Sequence, residues 1–440
     1  MIKDCYTEEN LMKKRKFVIV FIVALFLIVG TLYAKGEAET SGETVVKFWR
    51  HQATAFNETY DMLAEQYMME NPDVKIVFED FDYDTYIQTL QTAFPSGTEA
   101  DIMSMFGTWI NSYSGRLSEV PANLVAPGKA AEIFEPSTLG GYLVDGKLYG
   151  IPLETNIEYG AVLINKQIAK EVGADVSSFD DWDDFIAEMK KMTLIEDGVM
   201  NRAGYGFCHS DGIAYTFLSL IKQYGGFHMN ATGDAFTFDT PEARKALKLM
   251  KRFVDEGLID PVLFNDESNW AGDGFFTEII GGIVLGPWVI GDYAADFPEV
   301  TSVAEYVDLP SVSGAPYYTA ASGWGLTVSA NSKVADTAWD IVNYFALNSE
   351  NALTFNIHSG TVPALIANAS GAAKEKLISE KPYLEAYVDL LPYGTYQGHM
   401  PDSDLVVYDI LYNYILQYLQ GNSSLEEAIK GIQADSQGTF

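Results

Sequence analysis

The stretch "VVKFWRHQA", residues 45–53, decides how this chain is read. Val45, Val46, Phe48 and Trp49 form a short apolar run of strand length, and a helical pattern starts a few residues later. The strand therefore ends on Trp49, Arg50 and His51, which put a large ring, a cation and an imidazole at its carboxyl tip. A capped, solvated turn would explain them. So would a ligand site, because open α/β sheets bind ligands outside the carboxyl ends of their strands.

Working outward, Asn57 is placed to cap a helix whose apolar face carries Tyr60, Leu63, Ala64 and Tyr67, and Asn71-Pro72 stops it. "VKIVFEDF" (74–81) reads as a second strand and "YDTYIQTLQTAF" (83–94) as a second helix. "DIMSMF" (101–106) is a third strand, running straight into Gly107-Thr108-Trp109. Strand, helix, strand, helix, strand makes a parallel sheet with right-handed crossovers, so the fold class is α/β. Farther on, "SFDDWDDFIAEMKKM" (178–192) is a helix with acids in its first turn and lysines in its last. That order suits the macrodipole, so the acidic run is helix-start chemistry rather than a metal site. Thr240, Pro241 and Gly257 bracket a helix, and Ser424 with Glu427 forms a capping box. "DLVVYDILYNYILQYLQG" (404–421) reads as one long amphipathic helix.

The 440 residues, 48% hydrophobic, are enough for two domains. A net charge of −33 argues against nucleic acid as a partner, since phosphate binding needs clustered Lys and Arg. Two cysteines, Cys5 and Cys208, make neither a disulfide framework nor a zinc site. "KKRK" (13–16), thirteen apolar residues (17–29) and small residues after them match a cleavable secretory signal over residues 1–36, with Met12 offering an alternative start of translation. Left uncut, the same run would be about long enough for an N-terminal anchor. The protein is therefore expected in the periplasm or another extracytoplasmic space.

No constellation for catalysis is found. There is no Walker loop, no G-x-S-x-G elbow and no His pair at helical spacing. Asp80, Asp82 and Asp84 alternate as in a calcium loop, but the Gly at position six and the Glu at position twelve are missing. Tyr317 and Tyr318 could offer oxygen to iron, yet adjacent residues on a strand point to opposite faces. The tryptophans say more. Trp182 and Trp339 sit at helical spacing and belong to the core. Trp49, Trp109, Trp270, Trp288 and Trp324 stand at strand ends or in loops, beside Gly, Pro, Asn or charge. An indole face flanked by planar polar groups suits the C–H face of a sugar.

Taken in order, "VVKFWRHQ", "AEQYMMENPDVKIVFE", "DIMSMFGTW", "LYGIPLETNIEYGAVLINKQIAKEVG", "FFTEIIGGIVLGPWVIGDY" and "SGWGLTVSANSK" resemble the extracellular solute-binding protein family 1, the maltose-binding-protein-like group of ABC importers. The resemblance spans the chain after residue 36. It implies a two-lobed, type II-like periplasmic-binding-protein fold, each lobe a mixed sheet flanked by helices, with the ligand cleft between lobes. By this likeness the first lobe takes residues 37–155 and 323–365, and the second 156–322 and 366–440, with crossovers near 152–157, 320–326 and 360–366. Trp49, Arg50 and His51 would stand on the cleft rim, and Asp82 and Trp109 would close the next two strands. Glu154 and Asn156 would lie at a crossover, with Trp270, Trp288, Ser322 and Trp324 approaching from later segments. The resemblance further implies a monomer that captures a carbohydrate by hinge closure for an ABC permease, with no cofactor and no covalent chemistry. A polyamine or ferric-iron receptor of the same fold, or an exported enzyme, are the competing readings. A cationic ligand calls for several cleft carboxylates, and Arg50 and His51 argue against one.

Overall fold

The computed structural model describes residues 42–207, 211–259, 273–294 and 296–440. The targeting segment 1–36, Cys208 and Trp270 lie outside the described residues.

Strand β1 (Thr44–His51) buries Val46, Phe48 and Arg50 on one face and exposes Val45 and Lys47 on the other, the period of two that a pleated strand imposes. The helix that follows, Thr54–Glu70, buries Thr59, Tyr60, Leu63, Ala64 and Tyr67. It starts a turn earlier than the Asn57 cap predicts, because Phe56 packs edge-on against Phe355 and draws the first turn onto the core. β2 (Val74–Phe81) lies parallel to β1, pairing from Thr44 with Val74 to His51 with Phe81. Helix Tyr83–Ser96 and the fully buried β3 (Ile102–Phe106) complete the unit. A hairpin of β4 (Leu143–Val144) and β5 (Lys147–Leu148) leads to the short strands β6 (Ile151–Pro152) and β7 (Glu154–Thr155), then to β8 (Ala161–Asn165). Beyond an exposed hairpin of β9 (Leu194–Glu196) and β10 (Val199–Arg202) come β11 (Gly206–Phe207), β12 (Gly282–Val284) and β13 (Ala304–Asp308). The last strands are β14 (Tyr318–Ala320), β15 (Trp324–Val328), β16 (Val362–Pro363) and β17 (Gly394–Tyr396).

Nine of these strands make two mixed sheets, and the other eight form four two-stranded pairs. One has the order β2-β1-β3-β15-β6, with β15 antiparallel to both neighbours. The other has the order β11-β12-β8-β13, with β8 antiparallel to β12 and β13. Helices Thr54–Glu70 and Ser349–Ser359 pack together beside the first sheet. Helices Asp211–Gln223, Pro241–Asp255, Tyr412–Leu419 and Leu425–Gln437 form the layer beside the second. The local signals hold at several ends. Thr240 accepts from the Ala243 N–H, Ser424 and Glu427 form a capping box, and Trp182 and Trp339 are buried. The expected helix over 404–421 opens as a π-helical segment, Leu405–Leu411, before becoming α-helical at Tyr412–Leu419. No helix of the described residues is long and apolar enough to cross a membrane.

Between the sheets, three stretches of chain run side by side. β7 pairs antiparallel with β16, the Asn156 N–H donates to the Ser322 carbonyl at 2.8 Å, and the Leu153 N–H donates to the Trp324 carbonyl at 2.9 Å. The Tyr142 hydroxyl sits 2.8 Å from the Met105 carbonyl and 2.9 Å from that of Gly323. The packing is tight enough to require small residues. A Cβ on Gly323 would fall 2.2 Å from the Glu154 carbonyl oxygen.

Candidate functional site

The carboxyl ends of β1 and β3, the start of helix Tyr83–Ser96 and the amino end of β15 meet at one place. β15 pairs Trp324 with Phe106, which brings its indole to the strand tips. There the His51 ring stacks flat on Trp324, centroids 4.9 Å apart with 5° between planes. Trp109 stands edge-on to Trp324 at 5.4 Å, and Phe106 does so at 5.3 Å. Tyr83 closes the cluster against His51 and Trp109. Burial drives the His51 imidazole down to about 4 in spite of the nearby Asp82 carboxylate, so near pH 7 this ring is neutral.

The neighbours on β1 do other work. Trp49 donates its Nε1–H to Glu79 at 2.8 Å and packs on Phe81. Arg50, expected on the cleft rim, is a correction. Strand alternation turns it away from His51, toward helix Thr54–Glu70. Its Nε and Nη2 hold Asp80 at 2.6 and 3.2 Å, and Nη1 reaches Asp61 at 2.8 Å and the Asn57 carbonyl at 3.1 Å. The guanidinium also lies 3.8 Å over the Phe78 ring. It ties two strands to a helix and has little donor capacity left. Asp82 is exposed and caps its helix, accepting from both the backbone N–H and the hydroxyl of Thr85. Ser322 is a second correction. It is fully buried at φ +84°, and its hydroxyl donates to the Thr138 carbonyl at 2.7 Å, so it shapes the crossing rather than facing a ligand.

Below the rings lie two buried carboxyls. Glu154 accepts the Trp324 backbone N–H at 2.5 Å, and burial, with some help from the charge of Glu158, pushes it up to about 8. Glu158, missing from the expected set, accepts the Gly286 N–H at 2.9 Å and the Trp288 Nε1–H at 2.8 Å. Burial raises its pKa as well, against the hydrogen bonds from Trp288, Gly286 and Asn156. An acid in "NIEYGAVLIN", just before a strand buried on both faces, was the available signal for it. Trp288 is half-buried and opens the short helix Trp288–Tyr293.

On the far side of Trp109 is a crevice of about 160 Å3, walled by helix Tyr83–Ser96 and residues 108–113 against Pro401, Asp402, Ser403 and Asp404. Burial and the Asp402 charge raise the Asp404 carboxyl to about 6, with the Trp109 indole partly offsetting them. The structure thus brings together His51, Trp109, Glu154 and Trp324, with Trp288 joined through Glu158. It sets Arg50, Asp82 and Ser322 to structural duties. Among the described residues no group of three or more His, Cys, Asp or Glu could hold a metal ion. What the arrangement offers is flat apolar surface bordered by hydrogen-bond acceptors.

Known proteins of similar sequence and fold are binding proteins. The family described as bacterial extracellular solute-binding protein matches residues 53–352. A binding protein of Brucella abortus is 23% identical over 384 residues, covering 85% of this chain and 88% of that one. The maltotriose-binding protein of Pyrococcus abyssi is 25% identical over 341 residues, covering 75% and 68%. Among solved structures, the cyclic α-maltosyl-1,6-maltose binding protein of Arthrobacter globiformis superposes with a TM-score of 0.76 at 21% identity, over 90% of this chain and 99% of that one. The fold is accordingly the two-lobed α/β binding-protein fold. The chain belongs to the bacterial extracellular solute-binding protein family.

Proposed function

We propose that the protein captures a sugar or oligosaccharide in the cleft between its lobes, closes over it about the crossing strands, and delivers it to a membrane ABC permease. The observation that carries this reading is the flat Trp324–His51 stack, edged by Trp109 and bordered by the buried acceptors Glu154 and Glu158. Ring faces of this kind take the C–H face of a pyranose, and the carboxyls and Asn156 take hydroxyls. The fold and the relatives named for sugars support it. In this reading, residues 37–155 and 323–365 form one lobe and 156–322 and 366–440 the other, so that Trp288 and Glu158 close onto Trp109 and Trp324. Ligand contact with both lobes only in the shut form would drive closure. No bond is made or broken. The protein acts as an extracytoplasmic monomer, exported by the segment 1–36.

A thermal-shift screen tests this. A sugar present at a hundred times its dissociation constant is expected to stabilise the fold by about 2.7 kcal/mol. The Trp324→Ala variant is expected to lose that shift. Silence across mono- and oligosaccharides, with a shift for Fe(III) or for a simple polyamine alone, would overturn the substrate class.

A further inference from the structure

Two carboxyl side chains, four positions apart on one crossing segment, each hold a different tryptophan. Glu154 accepts the backbone N–H of Trp324, whose indole lies in the ring cluster at the tips of β1 and β3. Glu158 accepts the indole N–H of Trp288 at 2.8 Å. The other oxygen of Glu158 takes the Gly286 N–H at 2.9 Å, so one carboxyl holds both ends of the turn Gly286-Pro287-Trp288. Glu158 is buried, whereas the indole it holds is only half-buried.

The turn is fastened from behind as well. The Tyr306 hydroxyl donates to the Gly286 carbonyl at 2.9 Å, and the Tyr387 hydroxyl donates to the Leu285 carbonyl at 2.6 Å. These two rings meet edge-on at 4.9 Å and brace each other. No further side chain fits, since a Cβ on Gly286 would fall 2.6 Å from the Trp288 ring and 3.0 Å from Glu158 Oε1. The crossing segment is itself anchored: the Leu153 carbonyl accepts from Asn356 Nδ2 at 3.0 Å, and the Asn156 N–H reaches the Ser322 carbonyl. A half-exposed indole with no partner is free to turn about two side-chain torsions. Glu158 removes that freedom before any ligand arrives, so ordering the ring does not weaken binding.

Building on the sugar-binding reading, we propose that Glu158 is a positioning residue: it sets the Trp288 ring as a fixed wall of the ligand site, and the segment 154–158, by holding Trp288 and Trp324 at once, sets the gap between the two rings. Bending of this segment as the lobes close carries one tryptophan toward the other.

NMR of the indole N–H groups of the purified protein, paired with calorimetric titration of maltotriose, xylotriose and glucose, tests the proposal. The Trp288 resonance is identified by its loss in Trp288→Ala. In the unaltered protein its indole proton is expected to exchange with solvent at least about tenfold more slowly than that of free tryptophan, as a held N–H does. Glu158→Gln keeps the volume but replaces one acceptor oxygen by an NH2 donor. Checked for folding by circular dichroism, it is expected to move the Trp288 resonance upfield and to weaken sugar binding about tenfold. Trp288→Ala is expected to weaken binding at least as much. The double variant should then bind within about twofold of Trp288→Ala alone, because Glu158 acts through the ring. An indole proton that exchanges as fast as in free tryptophan, or an indole resonance unmoved in Glu158→Gln, would overturn the inference and leave the sugar reading standing. So would a double variant in which the two losses multiply, since Glu158 would then act on the sugar directly. No binding by any of the three sugars in the unaltered protein would overturn the sugar reading and this inference with it.

Discussion

Trp324 offers one ring face to His51 and stands perpendicular to Trp109, while its backbone N–H is held by Glu154. Removing the indole leaves that backbone contact in place. Trp324→Ala is therefore expected to cost ligand affinity, about tenfold or more as for a central aromatic anchor, with a much smaller change in melting temperature; calorimetric titration and melting curves check the split. The titrating residues pull stability in opposite directions. His51 and His228 are both held near 4 by burial, whereas unfolded histidine titrates near 6.5. Between those values the unfolded chain binds more protons, so stability falls as pH drops from about 6.5 to about 4. Glu154 does the reverse. Its carboxyl is raised from 4.5 to about 8, so its contribution is complete below 4.5 and is lost as pH rises toward 8. Urea melts at pH 5, 6.5 and 8 are expected to show Glu154→Gln flattening the alkaline decline and leaving the acid decline intact. That Arg50 would leave the cleft was already legible in the strand period, since it alternates with Trp49 and His51; position at a strand tip alone does not say which way a side chain points.

At the scale of the element, Arg50 joins β1, β2 and helix Thr54–Glu70 through side chains that span buried and exposed surface. Arg50→Met keeps the stem over Phe78 and discards the charge. It is expected to lower stability by about 1–3 kcal/mol, moderated by the exposure of both partner carboxylates, with no change in ligand affinity. The crossing strands are less forgiving. Gly323→Ala would drive a methyl into the Glu154 carbonyl and is expected to destabilise by about 1–3 kcal/mol and weaken binding as well, since Glu154 and Trp324 both shift; a denaturant melt beside a titration would show the two losses together. Legibility also divides at this scale. β1, β2, β3 and the helices between them are long, periodic and bounded by Asn-Pro or Gly, so their pattern is local. β6, β7 and β16 are two residues each and have no pattern of their own. They exist because partners from distant parts of the chain supply their hydrogen bonds. Residues 401–404 carry no local signal for a related reason. Read locally, they are only the turn before a helix, and the crevice they wall depends on Trp109 almost three hundred positions earlier.

For the whole molecule, alternating strand and helix signals predict the parallel β2-β1-β3 part of the first sheet, whereas the antiparallel strands that make both sheets mixed carry no local signal of their pairing. β15 is the instructive case. It is inserted antiparallel between β3 and β6, so the first sheet is finished by a segment from far along the chain. This has a consequence for how the protein comes into being. Until residue 328 has been synthesised, β3 lacks one neighbour and β6 has none in its sheet. At ordinary elongation rates the ribosome needs on the order of ten to forty seconds to go from the end of β3 to the end of β15. Through that interval the opening βαβαβ unit waits with an open edge and an unsealed core face. A nascent chain arrested before residue 324 is expected to remain protease-sensitive throughout residues 44–106, and one arrested far enough past 328 to clear the exit tunnel to become resistant there.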